Sequence, residues 1–135
     1  MDFSDLKIWL LGAAGVAVGL WVGLSPIIQI LLALMVLDLV TGVTAAFIAK
    51  EVDSRVSWAG LAKKSLVLML VGTGSLLQPY AQGVPLGEIV AGFYAANEAL
   101  SILENVSRAG VPVPQVLVDA LTRLNKTEKA KVEKL

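Results

Sequence analysis

Residues 37–71 read LDLVTGVTAAFIAKEVDSRVSWAGLAKKSLVLMLV. Two apolar runs are divided there by a polar segment holding Lys50 and Arg55, with Lys63 and Lys64 close behind as the second run begins. The first run extends back to residue 27 and the second forward to residue 78. Each approaches the roughly 20 residues that an α-helix needs to cross the hydrocarbon of a bilayer at about 1.5 Å per residue. Working outward, two more apolar stretches follow the same rule, 6–24 before the pair and 86–106 after it. The expectation is an all-α integral membrane protein with four transmembrane helices.

The positive charges fix an orientation. All eleven Lys and Arg residues fall where four crossings would place the cytoplasm: Lys7 at the first stretch, Lys50, Arg55, Lys63 and Lys64 around the second junction, and Arg108, Arg123, Lys126, Lys129, Lys131 and Lys134 after the fourth. The turns at Ser25-Pro26 and Pro79 to Pro85 carry none. Because Lys and Arg near membrane ends are retained inside, this pattern predicts a multi-pass membrane protein with both termini cytoplasmic. The third stretch is slightly short and needs Lys63 and Lys64 to snorkel to the inner interface. The fourth contains Glu88, Asn97, Glu98, Ser101, Glu104 and Asn105. It leaves open a three-crossing alternative in which this stretch lies on the surface as an amphipathic helix, although that would strand six basic residues outside.

Composition agrees with a membrane chain. It is 56% hydrophobic and 16% charged, against about 45–50% apolar in ordinary soluble domains, and its mean hydropathy is +0.77. A formal net charge of zero argues against nucleic acid as a partner. The sequence has no Cys and no His, which removes disulfides, thiol chemistry and imidazole metal sites. No P-loop, dinucleotide fingerprint or nucleophile motif occurs, so neither an enzyme nor a cofactor is expected. The first stretch is read as a retained span because Asp2 and Asp5 precede it and no Ala-x-Ala site follows.

Small residues recur at four-residue spacing: Gly15, Gly19 and Gly23 on the first span, Gly87, Ala91 and Ala95 on the fourth, and more weakly Gly42 with Ala46 and Thr41 with Ala45 on the second. Lipid gives helices no hydrophobic reason to associate, so close packing across such ridges supplies much of the attraction. The ridges either pack the four helices of one chain together or join copies.

Polar residues within the spans are more specific. Asp38 falls near the middle of the second span, where an ionised side chain costs ~2.5–3.5 kcal/mol on insertion scales, and Glu98 falls at similar depth in the fourth. Neither is expected to have a cation at its own level; Lys63 and Lys64 are placed near the inner boundary, within reach of Glu104. A purely structural Asp38, protonated and bonded to Thr41, Thr44 or Asn97, is one reading, and an Asp38 facing a lumen is the other. Asn97, Ser101, Glu104 and Asn105 share one helical face, bordered by Glu98, and such a face turns toward other helices or an aqueous lumen. A proton relay is disfavoured in so short a chain without inverted repeats or a broken helix.

The character changes after Gly110, giving a transmembrane region 1–110 and a cytoplasmic region 111–135. Pro112 and Pro114 interrupt the helix; Val113, Val116, Leu117, Ala120, Leu121 and Leu124 then recur at helical spacing opposite Gln115, Asp119 and Arg123. That is a short amphipathic helix, docked on the membrane surface or on its own bundle, followed by a Lys/Glu tail.

Between about residue 34 and residue 121 the chain resembles the small phage holins grouped with clostridial toxin-secretion holins. The carriers are the stretch quoted above, with Asp38, Thr41 and Gly42 ahead of Ser54, Gly60, Lys63 and Lys64, and FYAANEALSILENVSRAGVPVPQVLVDAL at 93–121, which joins an acidic membrane helix to a glycine-proline break. The chain departs from the family at Ala99 or Leu100, where serine is frequent, and in its tail. The resemblance implies a homo-oligomer in the lipid bilayer of the bacterial cytoplasmic (inner) membrane that forms pores or lesions releasing a cell-wall hydrolase or a toxin, with host lysis and without required direct contact to that cargo. In this reading Asp38 and the Asn97 to Asn105 face line or stabilise the lesion. A non-lytic membrane accessory subunit or small channel is the other class consistent with the residues.

Overall fold

A computed structural model describes residues 3–51 and 54–133, and the side chain of Arg55, counted above among the topology residues, lies outside what it describes. The elements are α1 (Phe3–Gly23), α2 (Pro26–Ala49), α3 (Ser54–Leu77), a 3-10 turn (Gln78–Tyr80), α4 (Leu86–Arg108) and α5 (Gln115–Glu133). No strand occurs among the described residues.

Local chemistry explains the breaks. Pro26 opens α2 at a position where its missing N–H costs nothing, and the Gln29 amide donates back to the Trp21 carbonyl at 2.8 Å, tying the α1–α2 turn. Helix α2 ends at Lys50 in the left-handed region (φ 56°), where the Glu51 N–H reaches the Ala46 carbonyl at 2.9 Å and closes the last turn. Gly110, with φ +89°, turns the chain between α4 and α5 in a conformation that residues with a Cβ rarely adopt.

The centre of the molecule is α4. Glu98 meets Lys64, and Gly87 meets Gly74 and Ser75, so α4 runs antiparallel to α3. Asn105 meets Asp38 while Ala91 shares a cluster with Leu31, so α4 runs parallel to α2. That cluster holds Leu31, Met35, Val71, Ala91 and Ala95, flanked by Ile27, Ile28, Leu34, Val67, Val90 and Tyr94. Helix α5 folds back antiparallel along the second half of α4, with Asn125 against Asn97.

Outside this small core many of the described large apolar side chains point outward. Trp9, Leu11, Val22, Phe47, Trp58 and Leu76 are each more than two-thirds exposed. The accessible surface is 9602 Å², against ~6,800 Å² for a compact soluble monomer of this mass. Much of the excess is α1, exposed along its whole described length. A chain that faces outward with leucine and valine is matched to lipid.

Three helices are long and apolar enough to cross a membrane, over Ser4–Gly23, Pro26–Ala49 and Trp58–Tyr80. The fold is therefore all-helical with three apolar membrane-spanning candidates, one fewer than expected from the sequence. Helix α4 has the length, 23 residues, but its Glu88, Glu98, Glu104 and Arg108 dilute its apolarity. The third apolar stretch is not short: α3 begins at Ser54, so Lys64 is well inside the helix and not at its membrane end.

Candidate functional site

The polar residues of the spans converge on one layer halfway along α2 and α3. Asp38 is midway along Pro26–Ala49 and Lys64 near the middle of Ser54–Leu77. Between them the Lys64 ammonium bonds the Asp38 carboxylate at 2.9 Å and also the Glu98 carboxylate. The three side chains are only 11–15% exposed. One ammonium thus joins three helices, with two carboxylates against a single cation.

Asn105 supports the Asp38 carboxylate. Its amide donates to Asp38 Oδ1 at 2.9 Å, and approaches the Asp38 carbonyl and Thr41 Oγ1 at 3.3 Å each. Thr41 donates in turn to the Leu37 carbonyl at 2.8 Å. Gly42 makes room, since a Cβ there would sit 3.4 Å from the Asn105 amide. Below this, Arg108 reaches the Gly42 carbonyl at 3.4 Å. Replacing Asn105 with alanine should lower stability by ~1–3 kcal/mol, because Asp38 keeps its burial and loses its amide donor. Thermal unfolding in detergent checks this, and a wild-type midpoint would remove Asn105 from the layer's support.

Two expectations are corrected. Asp38 and Glu98 do have a cation at their own level, Lys64, which turns inward and does not snorkel; a cation between two carboxylates is better solvated there than beside lipid. Lys63, one residue on, is exposed, as is Glu104, which was expected to meet these lysines. Asp38 is bonded through Lys64 and Asn105, whereas Thr44 donates to the Val40 carbonyl and Asn97 belongs to another contact.

The face from Asn97 to Asn105 is divided between neighbours. Glu98 goes to α3 and Asn105 to α2. Asn97 accepts from the Asn125 amide of α5 at 2.6 Å, and Glu104 borders the groove between α4 and α5. Ser101 lies partly buried between them. Gly87, Ala91 and Ala95 pack inside the protomer. Gly15, Gly19 and Gly23 have open space where a Cβ would stand, so that ridge meets no other helix among the described residues. The contact of Gly74 with Gly87 was not anticipated; paired glycines near facing ends of adjacent spans were the available signal. Lys50 caps α2 at the turn.

The sequence is similar to those of known proteins. The model of the bacteriophage holin family matches residues 15–126. A probable holin of Bacillus phage phi105 is 35% identical over 109 residues, covering 79% of this chain and 80% of that one. An uncharacterised 14.9 kDa protein of Clostridium perfringens is 34% identical over 127 residues, covering 93% and 89%, and the uncharacterised YqxH of Bacillus subtilis is 34% identical over 108 residues, covering 77% and 76%. No solved structure matches significantly. The chain belongs to the bacteriophage holin family.

Proposed function

We propose that this protein accumulates in the bacterial cytoplasmic membrane, associates with copies of itself, and opens lesions through which a cell-wall hydrolase reaches the wall and lyses the host. A secreted toxin is a second cargo of the same act. Both termini are cytoplasmic in this reading and α4 is the fourth crossing. The parallel run of α4 beside α2 supports it, since alternate spans of a serpentine chain run parallel.

The observation that carries the proposal is the Lys64, Asp38 and Glu98 layer at mid-length of two apolar helices. Ionisable groups at that depth face a bundle interior or water. A layer closed by ion pairs within one protomer presents the same charges to water once helices separate, so Asp38, Thr41, Asn97, Glu98, Ser101, Glu104 and Asn105 stabilise or line the lesion. The glycine ridge of α1, which meets no other helix among the described residues, serves contacts between copies.

Inducible expression beside a separately expressed cytoplasmic wall hydrolase tests this, with turbidity and external hydrolase as readouts. The expected result is abrupt loss of turbidity only when both are present, with hydrolase in the medium. Abrupt death without hydrolase release would replace the large lesion with a small depolarising pore. Continued growth with protein in the membrane would replace it with a non-lytic accessory subunit.

A further inference from the structure

Helix α5 is docked by its less apolar side. Among the described side chains of the helix, Val118, Leu121, Thr122 and Asn125 are the partly buried ones, whereas Val116 is 75% exposed and Leu117, Ala120 and Leu124 are also exposed. The outward residues recur at one, four and eight positions and so form a stripe of their own. The specific bond across the contact is the one between Asn125 and Asn97. Below it a groove of about 650 Å³, lined by residues that include Leu103, Glu104, Ser107 and Val118, stays unfilled. Helix α5 thus covers this side of α4 without filling it.

Its depth is also unusual. Asn97 precedes Glu98, which bonds Lys64 midway along α3. An α5 docked at that level brings Asp119, Arg123 and Lys126, all exposed, beside helices whose other surfaces suit hydrocarbon. Charged side chains there cost several kcal/mol unless they face water. The docked arrangement is therefore at odds with α4 being fully surrounded by lipid.

We propose that α5 is a releasable intramolecular cover on the Asn97 and Glu104 side of α4, and that its departure lets a second copy take that side. This rests on the lesion-forming reading above. Once α5 leaves, Asn97 loses its partner at mid-depth, and an asparagine in that position is satisfied across another helix. The freed α5 carries its Val116, Leu117, Ala120 and Leu124 stripe to the membrane interface, where an amphipathic helix is stable. The connection 109–114, with Gly110 at φ +89° and Pro112 and Pro114, lets the helix swing without unravelling α4.

The absence of cysteine from the sequence gives a clean test. Leu100→Cys and Thr122→Cys, which line the same groove between α4 and α5, are combined, and cells making the double variant are treated with a short, membrane-permeant bis-methanethiosulfonate, which joins the two thiols through reducible disulfides with loss of sulfinate. Bridging is scored by the gel mobility of the monomer. The expected result is loss of lysis in bridged cells, restored by reductant, with normal lysis for each single variant under the same treatment. A bridged double variant that lyses on the wild-type schedule would overturn the cover. Earlier lysis at equal membrane abundance is expected for Val118→Asp, which weakens docking without touching Asn97; an unchanged schedule there also counts against the cover. Failure of the untreated wild-type chain to lyse cells would instead sink the lesion-forming reading, so the two failures are distinguishable.

Discussion

Replacing Lys64 with methionine should destabilise the protein more than any other single truncation in the polar layer. The substitution keeps the length of the side chain and removes the one cation between Asp38 and Glu98. Two carboxylates then share a site that is nearly closed to water, and each must take up a proton, repel the other or drag α4 away from α2 and α3. Removing one partner of a buried ion pair typically costs ~3–5 kcal/mol, because the charge left behind is uncompensated. Total stabilities of ~5–15 kcal/mol make that a large fraction, so the expected result is a much lower thermal midpoint in detergent and new protease sensitivity within α4. The triple variant Lys64→Met, Asp38→Asn, Glu98→Gln should recover most of the loss, since a neutral layer of similar volume carries no unpaired charge. Asp38→Asn alone should cost less, because its oxygen still accepts from Asn105 and Lys64 keeps Glu98. A wild-type midpoint for Lys64→Met would show that the layer does not hold the helices together.

Most of the helices were legible in the sequence because the bilayer imposes a length, and runs near 20 residues reveal it. Helix α4 was placed at 86–106 and forms Leu86–Arg108. What the sequence hid was the depth of Lys64. Hydropathy starts the third stretch at Leu61, where the apolar run begins, but no proline stands between Ser54 and Leu61, and the helix runs through Gly60 and the polar residues before it. Those two extra turns move Lys64 from the expected membrane end to the middle of the helix, and with it the partner of both carboxylates. Helical periodicity put Asn97, Ser101, Glu104 and Asn105 on one face, but an arc that wide touches α2, α3 and α5 at once, and only the packing divides it. Of the apolar stripe read in α5, Val116, Leu117, Ala120 and Leu124 face outward, whereas Leu121 lies on the docked side. Amphipathicity says that a helix has two sides; the order in which α2, α3 and α5 compete for α4 decides which one docks.

Gly87→Leu should separate α3 from α4, and the comparison with α1 shows why one glycine is not equivalent to another. A Cβ on Gly87 would stand 2.2 Å from Ser75 Oγ and 3.1 Å from the Ser75 backbone nitrogen. The hydroxyl can rotate away, losing its 3.0 Å bond to the Val71 carbonyl, but the backbone has no such freedom. Across the same contact a Cβ on Gly74 would stand 3.1 Å from the Gly87 nitrogen, so the two helices meet main chain to main chain. Overpacking a tight contact costs ~1–3 kcal/mol, and a branched side chain between two backbones belongs at the upper end. Gly19→Ala meets open space and replaces a poor helix former with a good one, worth about 0.5–1 kcal/mol in the opposite direction. Thermal midpoints of the detergent-solubilised variants should therefore fall for Gly87→Leu and hold or rise for Gly19→Ala. Equal losses at both positions would mean that α1 packs on its own bundle. The pair also separates folding from assembly: if the α1 ridge joins copies, Gly19→Leu should leave the midpoint in place and delay lysis, whereas Gly87→Leu should lower both stability and membrane abundance.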